Sequence, residues 1–274
     1  MIQTCTQGQR EPSFPTLASS LMFVIPAYNP TYELIQLIQN LSQQARQNPV
    51  VVVDDGSSEP SRKILSEIQL HPAVRLVTHE THCGKGQALK SAIEYIREHH
   101  PSCTHIVTAD ADGQHAVRDI LSVANATQTW QEHVVLGSRR FNNAIPIRSW
   151  IGNTIIRVMF KACTGLNLGD TQTGLRGIPL GFGLQCLALP STGYDFEMAM
   201  LIQCKALKMT IREIPITTIY IEGNRYSHFN PLIDSIKICH VIIRSVFSSC
   251  KNAEPVMADR GQSDFRTWHI RQGR

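Results

Sequence analysis

Two aspartates separated by one small residue, Asp110-Ala111-Asp112, follow a short run, His105 to Thr108, that reads as a buried strand. Carboxylates at i and i+2 with an alanine between them can approach one divalent cation together, and oxygen ligands of this kind suit Mg²⁺ or Mn²⁺. Such a site keeps waters and takes its remaining ligands from substrate phosphates, which points to a nucleotide diphosphate; Gln114 adds an amide oxygen. A D-x-D alone is also how two acids decorating a turn look, and it is the position after a strand that favours the metal. Asp54 and Asp55 stand after a second apolar run, where a carboxylate at a sheet edge accepts hydrogen bonds from a nucleobase N–H or from ribose hydroxyls. The same DDGSS stretch reads equally as a helix-capping turn, and the two readings are compatible. His82-Cys83-Gly84-Lys85-Gly86 resembles a phosphate cradle, yet it lacks the G-x-x-x-x-G-K-[ST] spacing, and no strand-linked G-x-G-x-x-G exists. Kinase-like and nicotinamide-binding readings therefore lose their main support. Arg139 and Arg140 can neutralise phosphate oxygens, although a loop arginine pair is commonly just solvated.

Positioning these groups requires strands that end where the polar residues gather. Leu21 to Ile25 (LMFVI) is too short and too evenly apolar for a surface helix, and Pro26 ends it, so it is the first buried strand. Tyr32 to Ala45 places Leu34, Ile35, Leu37, Ile38 and Leu41 at helical spacing, and Val50 to Val53 is the second strand. Ser57 and Ser58 suit the N-cap of a helix carrying Ile64, Leu65 and Ile68. Further strands are expected at Val74 to Val77, His105 to Thr108 and His133 to Leu136, with a helix over Gly86 to Arg97. This alternation predicts an α/β fold with a mostly parallel central sheet flanked by helices, and ligands in such sheets bind at the C-terminal strand ends. From about Phe141 the alternation loosens into a helix near Ser149 to Ala162, a Gly-rich stretch Gly165 to Gly183, a helix near Asp195 to Ala206, a strand near Thr210 to Ile216 and a helix near Leu232 to Phe247. Residues 1–20 read as a loosely packed segment, 21–249 as one domain with a nucleotide-binding half (21–140) and an acceptor half (141–249), and 250–274 as a polar tail.

The bulk properties narrow the function classes. A chain of 274 residues with 42% hydrophobic and 18% charged residues is ordinary globular composition. Its net charge is only +4, and the tail from Lys251 to Arg274 carries five bases against three acids, which argues against a protein that coats nucleic acid. No signal peptide or membrane span is visible. Eight cysteines at irregular intervals, with no C-x-x-C, read as reduced thiols in a cytoplasmic protein, and the eleven histidines are not expected to build a zinc site beside them.

Taken together, Val24-Ile25-Pro26-Ala27-Tyr28-Asn29, Val53-Asp54-Asp55-Gly56-Ser57, Gly84-Lys85-Gly86-x-Ala88, Asp110-Ala111-Asp112-Gly113-Gln114-His115 and Gly137-Ser138-Arg139 occur in an order and at spacings that resemble family 2 glycosyltransferases. Within that family the chain is similar to the dolichol-phosphate mannosyltransferase branch, on Gly193-Tyr194-Asp195-Phe196-Glu197, Glu213-Ile214-Pro215-Ile216 and Tyr226-Ser227-His228-Phe229. The resemblance spans roughly Leu21 to Ile243. It implies a GT-A fold and an inverting, metal-dependent transfer of a sugar from a nucleotide diphosphate donor (a UDP- or GDP-sugar) to a polyprenyl phosphate. Carried over by position, Pro26, Tyr28, Asn29, Asp54, Asp55, Lys85, Asp110 and Arg139 would bind the nucleotide sugar, and Asp110, Asp112 and Gln114 would hold Mg²⁺ or Mn²⁺. Asp112 and Asp195 would be the catalytic acids, and Asp170, Thr173, Glu197 and His228 would line the acceptor side. Two departures stand out: Pro30 replaces the acid that often follows Tyr-Asn, and His228 replaces a basic residue.

A phosphate acceptor is already anionic and needs no dedicated base, whereas a saccharide hydroxyl would call on Asp195 or Glu197. The helix near Ser149 to Ala162 mixes Trp150, Ile151, Ile155, Ile156, Val158, Met159 and Phe160 with Arg148, Arg157 and Lys161, a composition suited to a membrane interface; Leu232 to Phe247, with Lys237 and Arg244, is similar. The expectation is a peripheral enzyme on the cytoplasmic face of a membrane, anchored by these helices or by a separate membrane-protein partner. The competing readings are a non-catalytic nucleotide-sugar-binding protein, a glycosyltransferase of envelope polysaccharide synthesis acting on a saccharide hydroxyl, and a nucleotidyltransferase. The last lacks its usual glycine-rich basic loop, because Pro-Ala-Tyr-Asn-Pro follows the first strand.

Overall fold

Val51, Val52 and Val53 are fully buried because the strand that carries them is covered by helices on both faces. The computed structural model describes residues 20–139, 147–217 and 233–249. Its elements run β1 (Leu21–Ala27), α1 (Tyr32–Gln44), β2 (Val50–Asp54), α2 (Glu59–Gln69), β3 (Val74–Thr78), α3 (Lys85–His99), β4 (His105–Thr108), α4 (Val117–Thr129), β5 (Val134–Arg139), α5 (Ile147–Thr164), β6 (Arg176–Pro179), α6 (Leu180–Cys186), α7 (Asp195–Ala206), β7 (Ile211–Ile216) and α8 (Ile233–Ser249). Strand alternation splits the core in two. Met22, Val24, Val51 and Val53 face α3, α5, α6, α7 and α8, whereas Leu21, Phe23, Ile25, Val50 and Val52 face α1, α2 and α4. Leu34, Ile35, Leu37, Ile38 and Leu41 form the buried stripe of α1, as their spacing predicts.

The seven strands are ordered β3-β2-β1-β4-β6-β5-β7. Strands β3, β2, β1 and β4 pair in parallel, and β5 pairs in parallel with β7. Strand β6 runs antiparallel to both β4 and β5. The chain leaves β1 toward β2 on one side and returns as β4 on the other, so a switch point lies between the C-terminal ends of β1 and β4.

The Gly-rich stretch Gly165 to Gly183 contains β6 and the start of α6, and α4 occupies a region for which the sequence predicts no element. Gly177 explains why β6 can lie against α4: a Cβ there would stand 1.7 Å from the Thr127 hydroxyl. Arg176, next to it, is a fully buried arginine whose guanidinium donates to the carbonyls of Thr173 (2.8 Å), Glu197 (2.5 Å) and Thr171 (3.3 Å). That network ties β6 to α7 and to the loop before it.

The described cysteines are free, and burial pushes the Cys103, Cys186 and Cys204 thiols up to about 11, 12 and 12, as expected of inert core thiols. Among the described residues no helix is long and apolar enough to cross a membrane. Residues 1–19, Arg140, the motif Tyr226-Ser227-His228-Phe229 and the tail from Cys250 lie outside the described residues, as do the side chains of Arg148, Trp150 and Ile151.

Candidate active site

Because β1, β2 and β4 are adjacent and parallel, their C-terminal ends deliver Tyr28, Asp55 and Asp110 to one edge. A cavity of about 570 Å³ opens there, lined by Pro26, Tyr28, Asn29, Asp55, Lys85, Asp110, Asp112 and, from across the opening, Asp195. Lys85, at the first position of α3, sets its ammonium between two carboxylates, 2.6 Å from Asp110 Oδ1 and 3.0 Å from Glu197 Oε2. Burial disfavours the charge on Lys85, but those two acids outweigh it and hold the ammonium protonated far above its usual range. The same pairing keeps Asp110 ionised against its own burial, with His115 Nε2 adding a contact at 3.3 Å. Asp112 is the opposite case. Burial first, then the neighbouring Asp110, push its carboxyl upward, and among the described residues it makes no ion pair; the Gln114 N–H donates to its Oδ1 at 3.0 Å.

The loop that presents Lys85 is anchored from below. Asp55 accepts the N–H of Cys83 (2.9 Å) and of Gly84 (2.8 Å), and meets His79 Nδ1 at 2.7 Å and His82 Nδ1 at 2.8 Å. Gly84 has φ of 99°, and a Cβ on it would lie 2.6 Å from the Thr192 carbonyl, so glycine lets the turn close against the loop before α7. Burial alone would raise the Asp55 carboxyl; the His79 ring and the two N–H groups outweigh it and hold it below the usual carboxylate range. The His82 ring packs on Tyr28 with centroids 4.0 Å apart.

Some residues expected at the ligand do structural work instead. Asp54, at the end of β2, is turned from the cavity and accepts the Ser57 N–H at 2.9 Å; Asp55, one residue on, is the carboxylate that lines it. Asn29 lines the cavity, but its Oδ1 accepts from the Ser58 N–H and hydroxyl, both at 2.8 Å, so Ser58 stands at the N-cap of α2 with its hydroxyl bonded to Asn29. Arg139 was expected to face phosphates. It forms a two-pronged pair with Asp170 (2.5 and 3.1 Å), and neither side chain lines the cavity. Thr173 is buried, accepting the Leu175 N–H and the Arg176 guanidinium, and Glu197 sits behind the cavity wall on Lys85. Gln114 is also not among the lining residues. Of the two acids in the first turn of α7, only Asp195 reaches the cavity.

His115 went unassigned in the sequence although it closes the DGQH run; buried beside Asp110, its Nδ1 has no hydrogen-bond partner among the described residues. Asp234 and Lys237 of α8 also line the cavity, and no spacing in the sequence links them to the first half.

The Asp170–Arg139 pair predicts an acid-sensitive clamp. Burial opposes the Asp170 charge, but Arg139 holds its carboxyl below the ordinary range, so the stabilisation is present above about pH 4 and is lost as pH falls through the lowered value. Asp170→Asn is expected to remove about 2 kcal/mol at neutral pH, because Arg139 reaches solvent and the pair is not fully buried. Urea unfolding at pH 7 and pH 3 checks it, the difference between variant and parent shrinking at the lower pH.

The family model for glycosyl transferase family 2 matches residues 22–181, which contain every strand end that builds this cavity. The chain belongs to glycosyltransferase family 2. This family 2 chain is 30% identical over 238 residues, 79% of its length and 93% of the relative's, to the UDP-N-acetylglucosamine–dolichyl-phosphate N-acetylglucosaminyltransferase of Methanococcus voltae. It is 27% identical over 208 residues (72% and 82%) to the undecaprenyl-phosphate mannosyltransferase of Micrococcus luteus. Its fold is that of glucosyl-3-phosphoglycerate synthase from Mycobacterium tuberculosis, solved with Mn²⁺, uridine diphosphate and phosphoglyceric acid, at a TM-score of 0.60, 17% identity and coverage of 86% and 80%. The GT-A fold expected from the motifs is therefore the fold observed, and the protein is a glycosyltransferase that uses a nucleotide-sugar donor.

Proposed function

We propose that this glycosyltransferase moves a sugar from a UDP- or GDP-sugar to a polyprenyl phosphate, with inversion, using Mg²⁺ or Mn²⁺ held by Asp110 and Asp112. The observation that carries the metal is Asp112: a half-buried carboxyl pushed upward, two residues from an ionised Asp110, on a cavity wall and without an ion pair among the described residues. An all-oxygen donor set of this kind fits a hard divalent cation, and the Gln114 N–H orients Asp112 toward it. Bound there, the ion would neutralise charge on the leaving diphosphate. The remaining work falls on the chain. Lys85 supplies a fixed cation on the same wall, Asp55 holds the loop that carries it, and the half-buried Tyr28 ring, which lines the cavity beside His82, offers aromatic surface for the base.

The acceptor reading is supported by the two relatives named for polyprenyl-phosphate substrates and by the placement of α5 and α8. These helices turn Ile156, Phe160, Ile238 and Ile242 into the core while leaving Ile155, Val158, Ile236 and Ile243 exposed beside Lys161, Lys237 and Arg244. Lys237 and Asp234 join that face to the cavity, so a lipid phosphate lying along α8 would reach the donor without crossing the protein. This arrangement supports peripheral attachment to an anionic membrane surface. A saccharide hydroxyl acceptor is the second reading, favoured by one observation: Asp195 lines the cavity as a carboxylate able to serve as base.

The deciding experiment offers UDP- and GDP-sugars, with and without Mn²⁺, to the full chain together with polyprenyl phosphate in anionic vesicles. Metal-dependent appearance of a lipid-phosphate sugar from one donor class is expected. Transfer to a free saccharide with none to the lipid would overturn the acceptor assignment.

A further inference from the structure

Beneath the loop that carries Lys85, three side chains have a chemistry different from that of the Asp110 and Asp112 pair. Asp55 follows β2, while His79 and Cys83 stand four residues apart in the loop between β3 and α3; one ligand atom from each lies within 4.8 Å of the others. Sequence spacing offers no zinc site beside the cysteines, because the loop from His79 to Cys83 meets its carboxylate only by folding back onto another strand. We propose that Asp55, His79 and Cys83 form a second cation site, selective for a thiophilic divalent ion of the zinc class, and that its occupancy obstructs the donor cavity.

The donor set is one oxygen, one imidazole nitrogen and one sulfur, which suits Zn²⁺ and not Mg²⁺. It is therefore chemically distinct from the all-oxygen pair Asp110 and Asp112. The surrounding contacts are those that orient metal ligands. His79 is buried between the Asp55 carboxylate, 2.7 Å from Nδ1, and the Ser91 hydroxyl, 3.0 Å from Nε2; the hydroxyl can accept from an Nε2–H, so the ring keeps that partner when Nδ1 turns its lone pair to an ion. Asp55 is held by the N–H groups of Cys83 and Gly84, so its oxygens are already placed before any ion arrives. Cys83 and Asp55 both line the cavity, which gives an ion a path in. His82, half-exposed, holds the other Asp55 oxygen at 2.8 Å but stands outside the three-ligand group, which leaves the fourth position to water.

Binding exchanges protons for metal bonds. The Cys83 thiol gives up its bond to the Thr81 carbonyl and its proton leaves to solvent, the His79 ring proton moves from Nδ1 to Nε2 beside Ser91, and the thiolate, Nδ1 and the carboxylate each form a bond to the ion. No oxidant or reductant is involved. The ion would sit on the loop that ends at Lys85, which is why occupancy and donor binding are expected to oppose each other.

Cobalt(II) tests this directly, because it accepts the same ligands and reports a thiolate through a charge-transfer absorption. The full reduced chain is titrated with Co²⁺ and then with Zn²⁺. One equivalent of Co²⁺ is expected to develop the thiolate band and Zn²⁺ to abolish it. Cys83→Ser, at a half-buried position, is expected to lose the band and weaken Zn²⁺ binding at least about tenfold while keeping the circular dichroism of the parent. Asp112→Asn is expected to keep both. A band that persists in Cys83→Ser, or no band in the parent, would overturn the site. None of these readings depends on sugar transfer, so failure here leaves the proposed function standing, and the converse holds.

Discussion

Replacing Asp112 by Asn is expected to lower kcat/KM for sugar transfer by at least about 10³, roughly 4 kcal/mol of transition-state stabilisation, while leaving the protein as stable as the parent or slightly more so. The two halves of that expectation have one cause. Asp112 is half-buried beside the ionised Asp110 and makes no ion pair among the described residues, so its charge is unfavourable to the metal-free fold. Asn keeps the shape and the bond from the Gln114 N–H, but it removes the charge that a divalent ion needs from its second carboxylate. Transfer assays over a Mn²⁺ series, with thermal unfolding of the same samples, read both quantities. A variant that keeps its activity sinks the metal assignment, and one that unfolds early shows that the carboxylate is structural.

Lys85→Met carries the second large effect, and its sign is reversed. The ammonium lies between Asp110 and Glu197, and the buried Glu197 has for its other oxygen, Oε1, only the Arg176 Nε at 4.0 Å, too far for a hydrogen bond. Removing the cation leaves two close carboxylates facing each other, which is expected to cost about 3 kcal/mol in urea unfolding. Mn²⁺ should restore more stability to this variant than it adds to the parent, because the ion then no longer competes with an ammonium for Asp110. Equal stability of variant and parent, or an equal Mn²⁺ effect in both, contradicts this account. Asp112 and Lys85 thus mark two sides of one electrostatic balance: one carboxylate waiting for a cation and one already holding a cation of the chain's own.

Much of this site was legible in the chain. The runs LMFVI and VVVV can only be buried strands, and acids placed directly after them must emerge at the sheet edge, so Asp55, Asp110 and Asp112 were all found from sequence. The first-turn acids of α7 were read correctly as a pair, but not which of them faces the cavity. Strand β6 was missed because four residues containing a glycine and an arginine carry no apolar pattern; Arg176 is buried only because three carbonyls from separate segments converge on it.

What local sequence determines here is periodicity and punctuation, which are enough for the helices, the parallel strands and the family motifs. Which way a single side chain turns depends on partners far along the chain, and those exist only once the sheet has closed. Asp54 and Asp55 are neighbours, yet strand alternation sends one to its own turn and the other to the loop of α3. Arg139 meets Asp170 across 31 residues, Lys85 meets Glu197 from a helix on the far side of the cavity, and His79 and Cys83 meet Asp55 from a different strand. Each pairing is an electrostatic or hydrogen-bonding choice made in a buried setting, where an unmatched charge is costly, and only the tertiary structure decides which match is available.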